Sequence, residues 1–170
     1  MQRRTLLKLG LVSGAALTLL AGTAVLLHEP AWRDGRLTNT GYRVLSALAR
    51  AILDGWLPGD IAAQQVELAS HLNRVNETLR AMPRATQSEL AQLLALLAST
   101  PGRLALAGLV VDWPEADVAQ IQAALQGMRA SRVGLRQQAY HALRDLTHAA
   151  YFSDPATWAH LGYPGPSTVE

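Results

Sequence analysis

Leu135-Arg136-Gln137-Gln138-Ala139-Tyr140-His141-Ala142-Leu143-Arg144-Asp145-Leu146-Thr147-His148-Ala149-Ala150-Tyr151 is the stretch that decides the fold. At about 100° per residue, Leu135, Ala139, Ala142, Leu143, Leu146, Ala149 and Ala150 share an arc of about 120°. This is an amphipathic helix with one apolar stripe, and Ser131 stands ahead of it as a cap. Such a stripe must be buried against other elements, so the rest of the chain should supply them.

Upstream, the same period recurs. Val44, Leu45, Leu48, Ala49 and Ile52 fall on one helical face. Gly55 to Asp60 stops that helix, and Asp60 can cap the next, whose stripe is Ile61, Leu68, Leu72, Val75 and Leu79. Met82-Pro83 ends it. Thr86 and Glu89 have capping-box spacing ahead of Leu90, Leu93, Leu94 and Leu97. Thr100-Pro101 fits an N-cap with a first-turn proline, and Leu104 to Val111 reads as a short, fully buried helix. Asp112-Trp113-Pro114 breaks it, and Glu115 to Met128 is amphipathic again through Val118, Ile121, Leu125 and Met128. No segment alternates as a strand would. The reading predicts an all-α fold: a single small domain of about six helices over residues 40–170, behind a linker at 29–39.

The composition narrows the function. With 170 residues there is room for one domain and a sizeable core. No cysteine is present, which excludes disulfides, thiolate zinc sites, iron–sulfur clusters and covalently attached haem. Of the 15 basic residues, Arg3, Arg4 and Lys8 lie in the first 28 positions, leaving 12 arginines against all 13 acids. These arginines are interleaved with acids, so no basic stripe for nucleic acid is visible.

The first 28 residues stand apart. Arg3, Arg4, Leu6, Leu7 and Lys8 resemble a twin-arginine export signal, with Gln2 and Leu6 in place of the commonest Ser and Phe. Leu9 to Leu27 is uncharged and about long enough to span a bilayer, with the positive end cytoplasmic. The segment is either a cleaved signal or a retained anchor. Both place the helical domain on the periplasmic side of the membrane.

Downstream of the final helix lies Phe152-Ser153-Asp154-Pro155-Ala156-Thr157-Trp158-Ala159-His160-Leu161-Gly162-Tyr163-Pro164-Gly165-Pro166. Its prolines and aromatics make it too rigid for a flexible linker and too aromatic to be left in water. Tyr140, Arg144 and Tyr151 are expected opposite the core stripe and run into this tail. Tyr and Arg on one face have the composition of a protein interface, unless the tail itself covers them. His141, Asp145 and His148 share an edge of the helix and could hold a metal, although such trios are more often a plain polar face. No nucleophile–base constellation or phosphate loop is present, so catalysis is not expected of this chain.

The leader, the helical body and the closing pattern Tyr151, Asp154-Pro155-x-x-Trp158, Gly162-Tyr163-Pro164-Gly165-Pro166 together resemble the gluconate 2-dehydrogenase subunit 3 family. The specific part of the resemblance is confined to that closing pattern. The resemblance implies a non-catalytic small subunit without a cofactor of its own. Its partner would be an FAD-containing large subunit of the glucose-methanol-choline type, which it escorts through the twin-arginine translocase. A cytochrome c subunit often completes such complexes. Tyr140, Arg144, Tyr151, Phe152, Asp154, Pro155, Trp158, Gly162, Tyr163, Pro164, Gly165 and Pro166 would then form the partner surface. The alternatives are a stand-alone membrane-anchored protein whose tail is an internal clasp, and a small periplasmic metal- or ligand-binding protein.

Overall fold

Six α-helices, one very short hairpin and a closing 3-10 helix make up the described part of the chain, which in this computed structural model is residues 29–163. The expectations for Arg3, Arg4, Leu6, Leu7 and Lys8, and those for Pro164, Gly165 and Pro166, lie outside it. The helices are α1 (Asn39–Ile52), α2 (Ile61–Ala81), α3 (Arg84–Ala98), α4 (Thr100–Ala107), α5 (Val118–Arg129) and α6 (Gly134–Phe152). The fold is all-α. Among the described residues no single helix is long and apolar enough to cross a membrane.

The Ala- and Leu-rich α1 is the central element, with Val44, Leu45, Ala47, Leu48, Ala49 and Ala51 all buried. It packs against α2, α3, α5 and α6. The predicted stripes of α2 and α3 are buried, except that Ile61 at the start of α2 is 73% exposed. Trp113 lies within the core, and its indole Nε1 donates to the Leu97 carbonyl at 2.7 Å. That carbonyl is in the last turn of α3 and has no acceptor role left within its own helix. The residue read as a helix breaker therefore also closes a helix end.

The caps differ in detail from expectation. Asp60 does cap α2, accepting from the Ala63 amide at 2.8 Å. The Thr86–Glu89 box does not form: α3 begins at Arg84 directly after Pro83, so Thr86 already sits inside the first turn. The capping box is instead at Asp117 and Gln120, ahead of α5. Ser99, rather than Thr100, caps α4, and Val133, rather than Ser131, precedes α6.

Leu104 to Val111 is not one buried helix. The chain turns in π fashion over Arg103–Ala107 and stops at Gly108, leaving Leu104 44% and Val110 76% exposed. The cause is Arg103, itself buried. Its Nε donates to the Leu109 carbonyl and its Nη1 to Asp112 Oδ1, and both acceptors require the following chain to wrap around the guanidinium. Arg43 of α1 holds the other Asp112 oxygen.

Residues 29–39 are not a simple linker. Trp32–Arg33 (β1) and Arg36–Leu37 (β2) pair antiparallel around Asp34 and Gly35, both at positive φ. Asp-Gly is the favoured pair for such a two-residue turn, but strands of two residues are too short to show alternation. Ala31 is fully buried, and its carbonyl lies so close to α1 that only glycine fits at position 41.

One helix holds both ends of this domain. Asn76 Oδ1 accepts from the Leu37 amide at 2.8 Å, and Arg80 Nε donates to the Gly35 carbonyl at 2.6 Å. Arg74, less than two turns earlier on α2, reaches the segment that follows α6.

Candidate functional site

The carboxyl-terminal segment is built on α2, α6 and the turn after α1. Pro155–Leu161 forms a 3-10 helix. Proline suits the first turn, where an amide donor would find no partner. Asp154 caps it, with Oδ1 accepting from the Ala156 amide at 2.9 Å. The other carboxylate oxygen, Oδ2, meets Arg74 Nη1 at 3.1 Å.

Arg74 also donates to the Ala150 carbonyl, Ser70 Oγ and Glu67 Oε1, at 3.1, 2.8 and 2.7 Å. Its side chain is only 13% exposed, so these contacts stand partly out of water, where charge-assisted bonds are stronger. The buried Thr157 hydroxyl donates toward the Asp154 and Tyr151 carbonyls, and Trp158 Nε1 donates to the Phe152 carbonyl at 2.8 Å. The tail is thus fastened by its own polar groups.

Tyr151 corrects the sequence reading. It is 2% exposed and joins Ala49, Leu53 and Leu68 in a small second cluster, rather than lying opposite the core. At about 100° per residue it is only about 80° from Leu143, on the flank of the stripe. There α2 and the end of α1 close over the last turn of α6. The Tyr151 hydroxyl donates to the Trp56 carbonyl at 3.1 Å, and burial pushes its pKa up. Trp56 stands edge-on to Phe152, with ring centroids 4.9 Å apart.

Tyr140 is likewise half-buried against the core. With Ile52, Gln122, Leu125, Arg144 and His148 it lines an open recess of about 230 Å³. The Arg144 guanidinium lies 5.7 Å from the Tyr140 ring centroid and is held by Asp145 at 2.7 Å. The hydrogen bonds that Arg144 donates to Asp145, with that carboxylate's charge, raise the Arg144 pKa. Asp145 is therefore engaged, while the His141 ring stacks edge-on with Tyr140 and His148 tilts toward Phe152. Burial, then the Arg144 charge, lowers the His148 pKa. His141, Asp145 and His148 do not converge, and no group of three His, Asp or Glu side chains among the described residues is placed to hold a metal.

Of the expected partner surface, Tyr151 and Asp154 belong to the internal fastening, and Pro155, which opens the 3-10 helix, is exposed. Tyr163 is 49% exposed beyond Gly162, whose φ of 65° turns the chain, and its ring lies 5.5 Å from the half-buried Trp158. Arg74, Trp56 and His71 were not anticipated. The only local signal for Arg74 is its spacing from Glu67 and Ser70 on one helix face; its tail contacts come from distant sequence. Compared with protein-family models, with curated proteins and with solved structures, the chain matches none.

Proposed function

We propose that this chain is the non-catalytic small subunit of a membrane-associated, FAD-dependent dehydrogenase of the glucose-methanol-choline type. It binds the flavin-loaded large subunit and escorts it through twin-arginine export to the periplasmic side of the membrane. FAD belongs to the partner, and a cytochrome c subunit is a further candidate member of the complex. The observation that carries this reading is the closing pattern itself, from Tyr151 through Asp154-Pro155-x-x-Trp158 to Gly162-Tyr163. Its geometry supports a division of labour: Tyr151 and Asp154 brace the tail from within, and the exposed Tyr163, its ring against the half-buried Trp158, is the anchor. Aromatic pairs of this kind are frequent interface hot spots.

The test is affinity purification of the native chain from membranes, followed by identification of what accompanies it. A flavoprotein lacking its own export signal is expected, and a chain recovered alone overturns the proposal. Tyr163→Ala removes no side-chain hydrogen bond of the described tail, so it tests docking apart from folding. A hot-spot loss of about 2 kcal/mol corresponds to roughly 30-fold weaker capture.

A second reading has a specific observation in its favour. The inward contacts of Tyr151, Asp154 and Thr157 also suit a stand-alone, membrane-anchored protein whose tail is only a clasp. That reading expects Trp158→Ala to lower stability and to leave periplasmic dehydrogenase activity unchanged.

A further inference from the structure

His71 is the one buried side chain among the described residues with an unpartnered polar atom. It is 1% exposed, and its Nδ1 has no hydrogen-bond partner. It sits on α2 three residues before Arg74, with its ring centroid 6.2 Å from that of Tyr151. Tyr151 belongs to a cluster of four buried residues that is separate from the main core. Small satellite clusters under a terminal segment are the parts of a domain that open first.

We infer that His71 is an acid-operated release for the carboxyl-terminal clasp: proton uptake by its imidazole frees residues 151–163 from α2 and leaves the main core closed. A neutral imidazole needs only one donor satisfied, whereas the cation carries a donor on each nitrogen. The new donor at Nδ1 would point into a buried site without an acceptor, and its charge would lie beside Arg74. Unpaired buried charge is costly, and moving Tyr151 aside lets water reach the ring.

The surrounding groups favour this outcome over compensation. On α2 itself, Glu67 and Arg74 are already paired, at 2.7 Å. From the tail, Asp154 is committed to Arg74 and to the Ala156 amide. From α6 comes Tyr151, whose hydroxyl is bound to the Trp56 carbonyl, while His148 lines the recess beside Tyr140 and Arg144. From α1 the cluster contains only Ala49 and Leu53. No free carboxylate among these neutralises the imidazolium. Burial, with Arg74 adding to it, holds the His71 pKa down to about 4, so the closed clasp contains the neutral ring at pH 7.

Hydrogen exchange of the full-length chain tests this, with rates corrected for the intrinsic effect of pH. Between pH 7.5 and 4.5, segments within 151–163 should lose protection by on the order of 50-fold, while α1 and α5 keep theirs. His71→Gln should abolish that loss, and His148→Gln should retain it. Unchanged protection in the wild-type tail, an equal loss in His71→Gln, or simultaneous loss in α1 and α5 overturns the inference. The wild-type His71 ring resonance gives a check that needs no variant: its titration should coincide with clasp opening. A midpoint near 6.5 with the tail still protected overturns it.

Discussion

Arg74 Nη1 and Asp154 Oδ2 lie 3.1 Å apart across eighty residues of sequence. The contact turns the carboxylate into a joint, because its other oxygen caps the following 3-10 helix. Replacing Arg74 by Met leaves Asp154 Oδ2 without its guanidinium donor and removes the Arg74 bond to the Ala150 carbonyl. The two carboxylates it serves are 28% and 34% exposed, so water compensates part of the loss. The expected destabilisation is about 2 kcal/mol in urea unfolding. Arg74→Lys should recover less than half of it, because an ammonium cannot span four acceptors as the guanidinium fork does.

Trp113→Phe should cost about 2 kcal/mol although it keeps most of the ring volume. The Leu97 carbonyl would lose its donor in a buried site. Thermal unfolding measures it, and a variant within 0.5 kcal/mol of wild type (about the size of a neutral surface change) would show that water replaces the indole.

Two glycines in helices should respond with opposite sign. A Cβ at Gly41 would collide with the Ala31 carbonyl and with Leu37, so Gly41→Ala should destabilise by about 1–3 kcal/mol despite better helix propensity. At the exposed Gly127 the nearest group is the flexible end of Arg136, at 3.8 Å. Gly127→Ala should stabilise by about 0.5–1 kcal/mol. Measuring both under one unfolding protocol removes systematic error.

Global stability should depend on His71 in a defined window. Its folded pKa, about 4, lies below the ordinary 6.5, so between these values the unfolded chain binds more protons. The contribution is fully present above pH 6.5 and is lost as pH falls toward 4, amounting to about 3 kcal/mol. Urea midpoints at pH 7.5, 6 and 4.5 should fall steadily in wild type and more weakly in His71→Gln. Equal slopes would assign the acid sensitivity to carboxylates instead.

The apolar stripes through Leu68, Leu72, Val75 and Leu79, and through Leu90, Leu93, Leu94 and Leu97, were legible in the sequence because helical period is a local property. What escaped depends on distant partners. Tyr151 sits on the flank of its helix, and only the approach of Leu53 and Leu68 makes that flank an interior. Trp56 lies in a Gly- and Pro-bounded turn that signals only a helix stop, yet its ring closes over Phe152. Arg103 looks like any charged residue and is buried because the chain after it folds back to supply carbonyls. In the candidate site, the aromatic and Asp-Pro residues were visible, but not their division into inward and outward groups.

The hydrogen bonds that tie the amino-terminal hairpin to Asn76 and Arg80, and the tail to Arg74, occupy about two turns of one helix. The two termini of the domain therefore have a common point of failure. Fraying of α2 between residues 74 and 80 would loosen both at once, so proteolytic nicks near residues 35 and 155 should arise together.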